Sequence, residues 1–465
     1  MTSLGRIWSS WSTRRRAITV GVTLLAFAGI AVAGYFALVK RPGDVSNPEV
    51  MFEEEEVKIP KRSEIRNVDW PIYGGDLERT RYLPGKFLDP PFSSSVWSLP
   101  VGHLIEHAPV IAKERLYILD LEGIVYAVNK NDGKVIWKKD YGELSAAAPA
   151  YADGIVYALY LDPDQIVAIR ASDGKELWRK EIGSPGSESS PLIVKDKLIF
   201  GCQCGSVYAL DPKTGKTLWE TETAGEVKGA VAFHEGVVFG SNYGGEFFAI
   251  KVDDGDFKWR TPIIGGAFGR GGGAYSTPAV AYGRVYVGAF DGRVYSLDEE
   301  SGEVAWTFST GAEVYPGPVV ADVKDAPPAV YIGSADNKAY SLDAKSGELL
   351  WSQDLGAQIT GSGVLIGTTV YFSKNSETGG TIGFEAATGK KVFENELGRY
   401  NPGISDGERF YLVGYGTVRA FQSKRLDEKK ERERREIEKA KKEAKRAAQP
   451  PADQEPAGEE PDSEG

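Results

Sequence analysis

Sulfur and imidazole are scarce in this chain of 465 residues, which holds only 2 cysteines, 2 methionines and 3 histidines. Two cysteines cannot build a disulfide framework, and the C-x-C spacing of Cys202 and Cys204 suits neither zinc nor haem. An i,i+2 pair is awkward for a disulfide, so the plainer expectation is two residues at a hairpin turn, open to mutual oxidation if the domain is exported. His103 and His107 are four apart, a metal-binding spacing on a helix, but they fall where a strand begins and the side chains would stand roughly 13 Å apart. Basic stripes are also missing. With a net charge of −11 and no run of Lys and Arg in the body of the chain, nucleic acid is not an expected partner.

Glycine and aromatics are plentiful: 55 Gly, 22 Tyr, 19 Phe and 10 Trp point to a sheet-rich, tightly turned body packed on rings. An internal period then fixes the architecture. GKVIW ending at Trp137 recurs as GKELW at Trp178, GKTLW at Trp219, GDFKW at Trp259, GEVAW at Trp306, GELLW at Trp351 and GKKVF at Phe393, with spacings of 41, 41, 40, 47, 45 and 42 residues. Each unit reads as an apolar strand, an aromatic hairpin, a D-G, S-G or T-G turn, and the strand that carries the tryptophan. That is one blade of a β-propeller. A further tryptophan strand, SSVW ending at Trp97, lies 40 residues before Trp137, whereas the last hairpin, 408–424, lacks one. Pairing these two orphans predicts an all-β, eight-bladed β-propeller of four-stranded antiparallel blades, closed by the N-terminal strand. Trp97, Trp137, Trp178, Trp219, Trp259, Trp306, Trp351 and Phe393 are then blade-docking residues before they are anything else.

Long apolar runs are absent except at the N-terminus. Residues 17–39 carry no charge over 23 residues, enough for a transmembrane helix. Arg6 and Arg14 to Arg16 outnumber Lys40 and Arg41, which predicts a cytoplasmic N-terminus (1–16) and an extracytoplasmic propeller in the bacterial cytoplasmic membrane. The alternative is a signal peptide cut after Ala31-Val32-Ala33. Residues 40–68 read as a solvated linker and 69–424 as the propeller. Residues 425–448 mix both charges at i,i+4 and read as a solvated helix without a coiled-coil seam, and 449–465 as a disordered acidic tail.

The segment from Val207 to Trp219, VYALDPKTGKTLW, resembles the pyrroloquinoline-quinone (PQQ) repeat, and DWPIYGGDLERTRYLP, 69–84, resembles the lead-in of such propellers. The resemblance covers about 69–424. It implies the propeller fold, with the lead-in capping the bottom or side of the ring. This repeat builds both quinoprotein dehydrogenases and the non-enzymatic BamB-like propellers, so function has to come from a site. A dehydrogenase would need PQQ held over calcium by several oxygen ligands including carboxylates, with an Asp base, and such enzymes tend to carry an adjacent cysteine pair; here Cys202 and Cys204 are not adjacent. No C-x-x-C-H site is present. The preferred expectation is therefore a non-catalytic binding or scaffold module without a cofactor, its partner another envelope protein or polymer. A PQQ-dependent oxidoreductase and a cell-wall or polysaccharide-binding module are the alternatives.

Any ligand should sit in the central funnel, whose wall is the residues just before each innermost strand. These include Glu106, His107, Glu188, Lys228, Tyr275, Tyr315, Tyr400 and Asn401, with Arg270 on the glycine-rich insertion 265–275 as a flexible lip. Polar residues at a wet channel also need no ligand to explain them.

Overall fold

The computed structural model describes residues 12–39, 43–54, 69–85, 89–92, 95–265 and 272–447. Eight antiparallel sheets form a ring of blades. Blades one to seven are continuous in sequence, spanning 110–140, 150–181, 192–222, 232–262, 279–309, 319–354 and 364–395. The eighth combines 403–422 with Trp97–Pro100, which pairs Trp97 with Ala420 and Pro100 with Thr417. The two orphan segments therefore complete one another, as their spacing predicts.

The repeat motif has a local physical reading. In D-P-K-T-G-K the carboxylate of Asp211 accepts hydrogen bonds from the Lys213 and Thr214 amides and the Thr214 hydroxyl, which folds the turn. Gly215 follows at φ +72°, where a Cβ would lie 2.8 Å from the Trp178 ring of the preceding blade. The Trp178 indole N–H donates to the Pro212 carbonyl of the same turn at 3.1 Å. Each tryptophan of the register repeats this clamp on its next neighbour, as Trp97 does on Lys130 and Trp351 on Ala386. The T-G and the W of the motif thus serve different junctions. Within blades one to seven the outer strand also carries a bulge next to the aromatic position, for example between the partners of Ala209 and Leu210.

The lead-in runs inside the ring, beneath the funnel. Residues 70–83 run along the innermost strands of six blades. Trp70 exchanges backbone bonds with Ile111, and Pro71, Leu77, Glu78, Thr80 and Arg81 accept from Tyr151, Phe233, Val280, Val320 and Leu365 at 2.8–3.0 Å. Tyr82–Leu83 then adds a parallel strand to the seventh blade. A backbone entering a buried channel must satisfy its polar groups, and the free inner edges of the blades do so.

Part of the expected linker is also docked. Asn47 and Glu53 donate backbone bonds to Ala305 and Tyr282, Phe52 stacks on Tyr282 at 5.3 Å, and Arg284 donates to the Val50 and Met51 carbonyls. Val50 and Phe52 contribute apolar surface that solvent would otherwise meet, which is why this stretch leaves water. Residues 55–68 and the expected acidic tail, 449–465, lie outside the described residues.

Residues 17–39 fall within helix α1, Thr13–Val39. Among the described residues no helix is long and apolar enough to cross a membrane. The C-terminal helix α2, Lys424–Ala447, is exposed and bears Lys429–Glu433 and Arg435–Glu431 pairs at i,i+4. It touches the propeller through Lys430 and Glu408 at 3.3 Å.

Cys202 and Cys204 are joined by a disulfide, with Cα atoms 5.0 Å apart. This corrects the reading of two merely incidental residues. The hairpin turn brings the two Cα atoms to a separation at which sulfurs two residues apart can meet.

Candidate functional site

The loops before the innermost strands of seven blades, all but the second, bring their residues together in one funnel. Eight of the nine expected residues, Glu106, His107, Glu188, Lys228, Tyr275, Tyr315, Tyr400 and Asn401, line one open funnel. The ninth, Arg270, lies outside the described residues. His103 stands apart, paired with Glu122 at 3.0 Å, so the two histidines share no site.

Charge in the funnel is balanced and partly neutralised. Lys228 sits 3.5 Å from both Glu188 and Glu226 and 5.1 Å from the centre of the Tyr243 ring. Gln203, fixed between the two disulfide-linked cysteines, donates to Glu188 at 2.6 Å. Burial, reinforced by the charge of Glu188, pushes Glu106 up to about 7. Burial holds His107 down at about 4 against a hydrogen bond that its ring donates to the Ala146 backbone, so the ring is neutral at physiological pH. Tyr275 is buried among Glu188 and Glu106 and held far above the usual phenol range. The wall is thus a set of tyrosine faces, one salt-bridged lysine and neutral donors and acceptors, suited to gripping a polar chain rather than a strong ion.

Sequence reasoning missed the floor of this funnel. Tyr73, from the lead-in, donates to Ser362 at 2.8 Å and stacks edge-on to His107 with centroids 5.0 Å apart. Beneath it Arg79 is fully buried, donating to the Tyr73 carbonyl, to Val231 at 3.1 Å and to Ser190 at 3.2 Å. Burial and the neighbouring charge of Arg81 lower Arg79 to about 9, which leaves it charged. The signal available was two arginines, Arg79 and Arg81, inside a lead-in that also carries Trp70, Ile72, Tyr73 and Leu83.

A metal-held quinone does not fit. It asks for several oxygen ligands with carboxylates among them, and among the described residues no group of three His, Cys, Asp or Glu side chains is placed to hold a metal ion. Glu106 and Glu188 alone face each other, one of them drawn toward its neutral form.

Comparison with known proteins agrees with the repeat. The family model described as outer membrane protein assembly factor BamB matches residues 86–230 and 203–425. The chain is 30% identical to the outer membrane protein assembly factor BamB of Salmonella typhimurium over 354 residues, 74% of this chain and 71% of that protein. It is 28% identical to that of Alteromonas naphthalenivorans over 249 residues, 51% and 52% of the two chains. The chain spans about half the length of the curated relatives that head the matches, at 52%, 47% and 42%. Among solved structures, BamB from Moraxella catarrhalis superposes with a TM-score of 0.59 at 19% identity, covering 71% of this chain and 98% of that one. The quinohemoprotein alcohol dehydrogenase ADHIIG from Pseudomonas putida gives 0.65 at 15% identity, covering 81% and 83%. Identities this low speak for the shared fold alone. The extent of the family match and the Salmonella relative carry the assignment: this chain belongs to the BamB family of PQQ-repeat β-propellers.

Proposed function

We propose that the chain is a non-catalytic binding and scaffold propeller that takes a polar segment of another envelope protein, or an envelope polymer, into its funnel. The observation that carries this reading is the convergence of tyrosines, neutral donors and the Lys228–Glu188 pair on one open mouth. Nothing in that wall is arranged as a nucleophile with a base or as a metal nest. The relatives' printed role in outer membrane protein assembly supports a protein partner.

The apolar run 17–39 would hold the propeller to the bacterial cytoplasmic membrane as a single-pass anchor, with the N-terminus inside and the blades outside. Chain length adds a constraint to this reading. Asp44 already bonds to Ser309 at 2.7 Å, so the few residues between Val39 and Asp44 reach no more than about 15–20 Å. Blade five would then face the bilayer closely.

Photo-crosslinking from Tyr315 and Tyr400 in cells tests the funnel. Adducts to one envelope neighbour are expected there and not from Leu218 on an outer strand. Equal labelling at both places would refute a funnel partner. A phosphatase reporter fused after residue 424 should be active and one after residue 16 inactive; the reverse would remove the proposed orientation.

A further inference from the structure

The floor of the ring holds a second cavity, smaller than the funnel, which shares Tyr73, Ser362 and Asn401 with it and is lined in addition by Arg81. Arg81 is 2% exposed. Its Nη1 donates to the Arg79 carbonyl at 2.6 Å and to the Pro318 carbonyl at 3.0 Å. Nε and Nη2 have no partner among the described residues. These two nitrogens form one edge of the guanidinium, the edge whose paired N–H groups match the two oxygens of a carboxylate.

Leaving a buried cation half-bonded is costly, so the arrangement needs a cause. No Asp or Glu among the described residues makes an ion pair with Arg79 or Arg81. The carboxylate that feels both charges, Asp76, directs its oxygens at the Thr80 amide, 2.7 Å away, and the Thr80 hydroxyl, and burial pushes it up to about 6. The side of the cavity is shaped for the arginine: a Cβ on Gly317 would lie 2.5 Å from Nη2. The Gly317 amide donates to Ser362 Oγ at 2.9 Å, as Tyr73 does at 2.8 Å. Ser362 Oγ thus accepts twice, and its own hydrogen is left to donate beside the open edge of Arg81.

We infer that this cavity is a binding site for a small carboxylate, held by Nε and Nη2 of Arg81 and by the Ser362 hydroxyl. The site is distinct from partner capture at the funnel mouth and stands if that reading fails. A ligand of so few atoms is held in roughly the millimolar range.

The test titrates carboxyl-¹³C acetate into the purified full-length chain and follows the line width of its carboxyl resonance. Saturable broadening is expected, displaced by formate and not by the neutral isostere acetamide. Arg81→Gln should weaken binding at least about 10-fold and Ser362→Ala about 3-fold. Should Arg81→Gln fail to fold, the Ser362→Ala comparison decides. Overturning results are broadening that does not saturate, displacement by acetamide as good as by formate, or variants that bind as the natural chain does.

Discussion

Seven of the junctions between blades and the one between blades seven and eight solve the same packing problem differently. At the seven, a tryptophan lies on the glycine of the next blade's turn and donates to a carbonyl there, as Trp178 does on Gly215 and Pro212. At the eighth, the register position is Phe393. The next blade has no turn between its third and outer strands, because Thr417–Gln422 runs on into a helix and Trp97–Pro100 arrives from the other end of the chain. An indole there would have neither a carbonyl to bond nor a glycine to lie on. Phe92 fills the place instead, with Phe393, Phe410 and Phe421 at 5.5, 5.7 and 6.1 Å. The bulge found in blades one to seven is missing from the eighth for the same reason: no hairpin forces an extra residue into the pairing. A repeat position changes its chemistry where the covalent connection changes.

The closure also carries a buried ion pair. Lys130 and Asp406, each 1% exposed, meet at 3.2 Å between blades one and eight, and Tyr411 donates to Asp406 at 2.9 Å. The largest effect should come from removing the closing strand: deletion of 90–99 abolishes cooperative unfolding or drives oligomerisation, whereas deletion of 426–465 leaves the melting temperature within a few degrees. Equal tolerance of the two, measured by circular dichroism and light scattering, would dissolve the distinction. Asp406→Asn comes next, costing about 3 kcal/mol in denaturant unfolding because the buried Lys130 ammonium loses its near carboxylate and keeps the Glu114 carboxylate at 4.0 Å.

A reciprocal exchange sharpens the comparison. Trp178→Phe should cost about 1 kcal/mol by removing one of the two donors to the Pro212 carbonyl, which keeps the Tyr157 hydroxyl at 3.0 Å, and Phe393→Trp should also destabilise, by about 1–3 kcal/mol, through overpacking. A stabilising Phe393→Trp would show that the seam is an ordinary junction.

The smallest effect is a pH dependence, and it belongs to the funnel. Glu106 has a folded pKa of about 7 against 4.5 unfolded, so the folded state keeps the extra proton between these values. Its stabilising share is fully present below pH 4.5 and is lost as pH rises through 7. Glu106→Gln should therefore melt higher at pH 8, by on the order of 1–2 kcal/mol, with a flatter slope between pH 5 and 8. An unchanged slope would mean that another group carries the proton.

Period alone made the blade count, the closure and the tryptophan register legible, because a repeat of fixed length with one apolar face per strand has few ways to bury that face. It also located the funnel wall, since equivalent loops in a ring must meet at its axis. The lead-in was a different matter. Its residues bond to six blades far away in the chain, and no local pattern says that an exposed-looking D-L-E-R-T-R will be drawn into the middle of a ring. For the same reason the docking of 44–54 was not readable: it depends on which surfaces come together. By itself the sequence determined the ring, through periodic burial. Tertiary structure alone decided what fills its centre, because the fit of Arg79, Arg81 and Tyr73 is set by inner strand edges that exist only once the ring has closed.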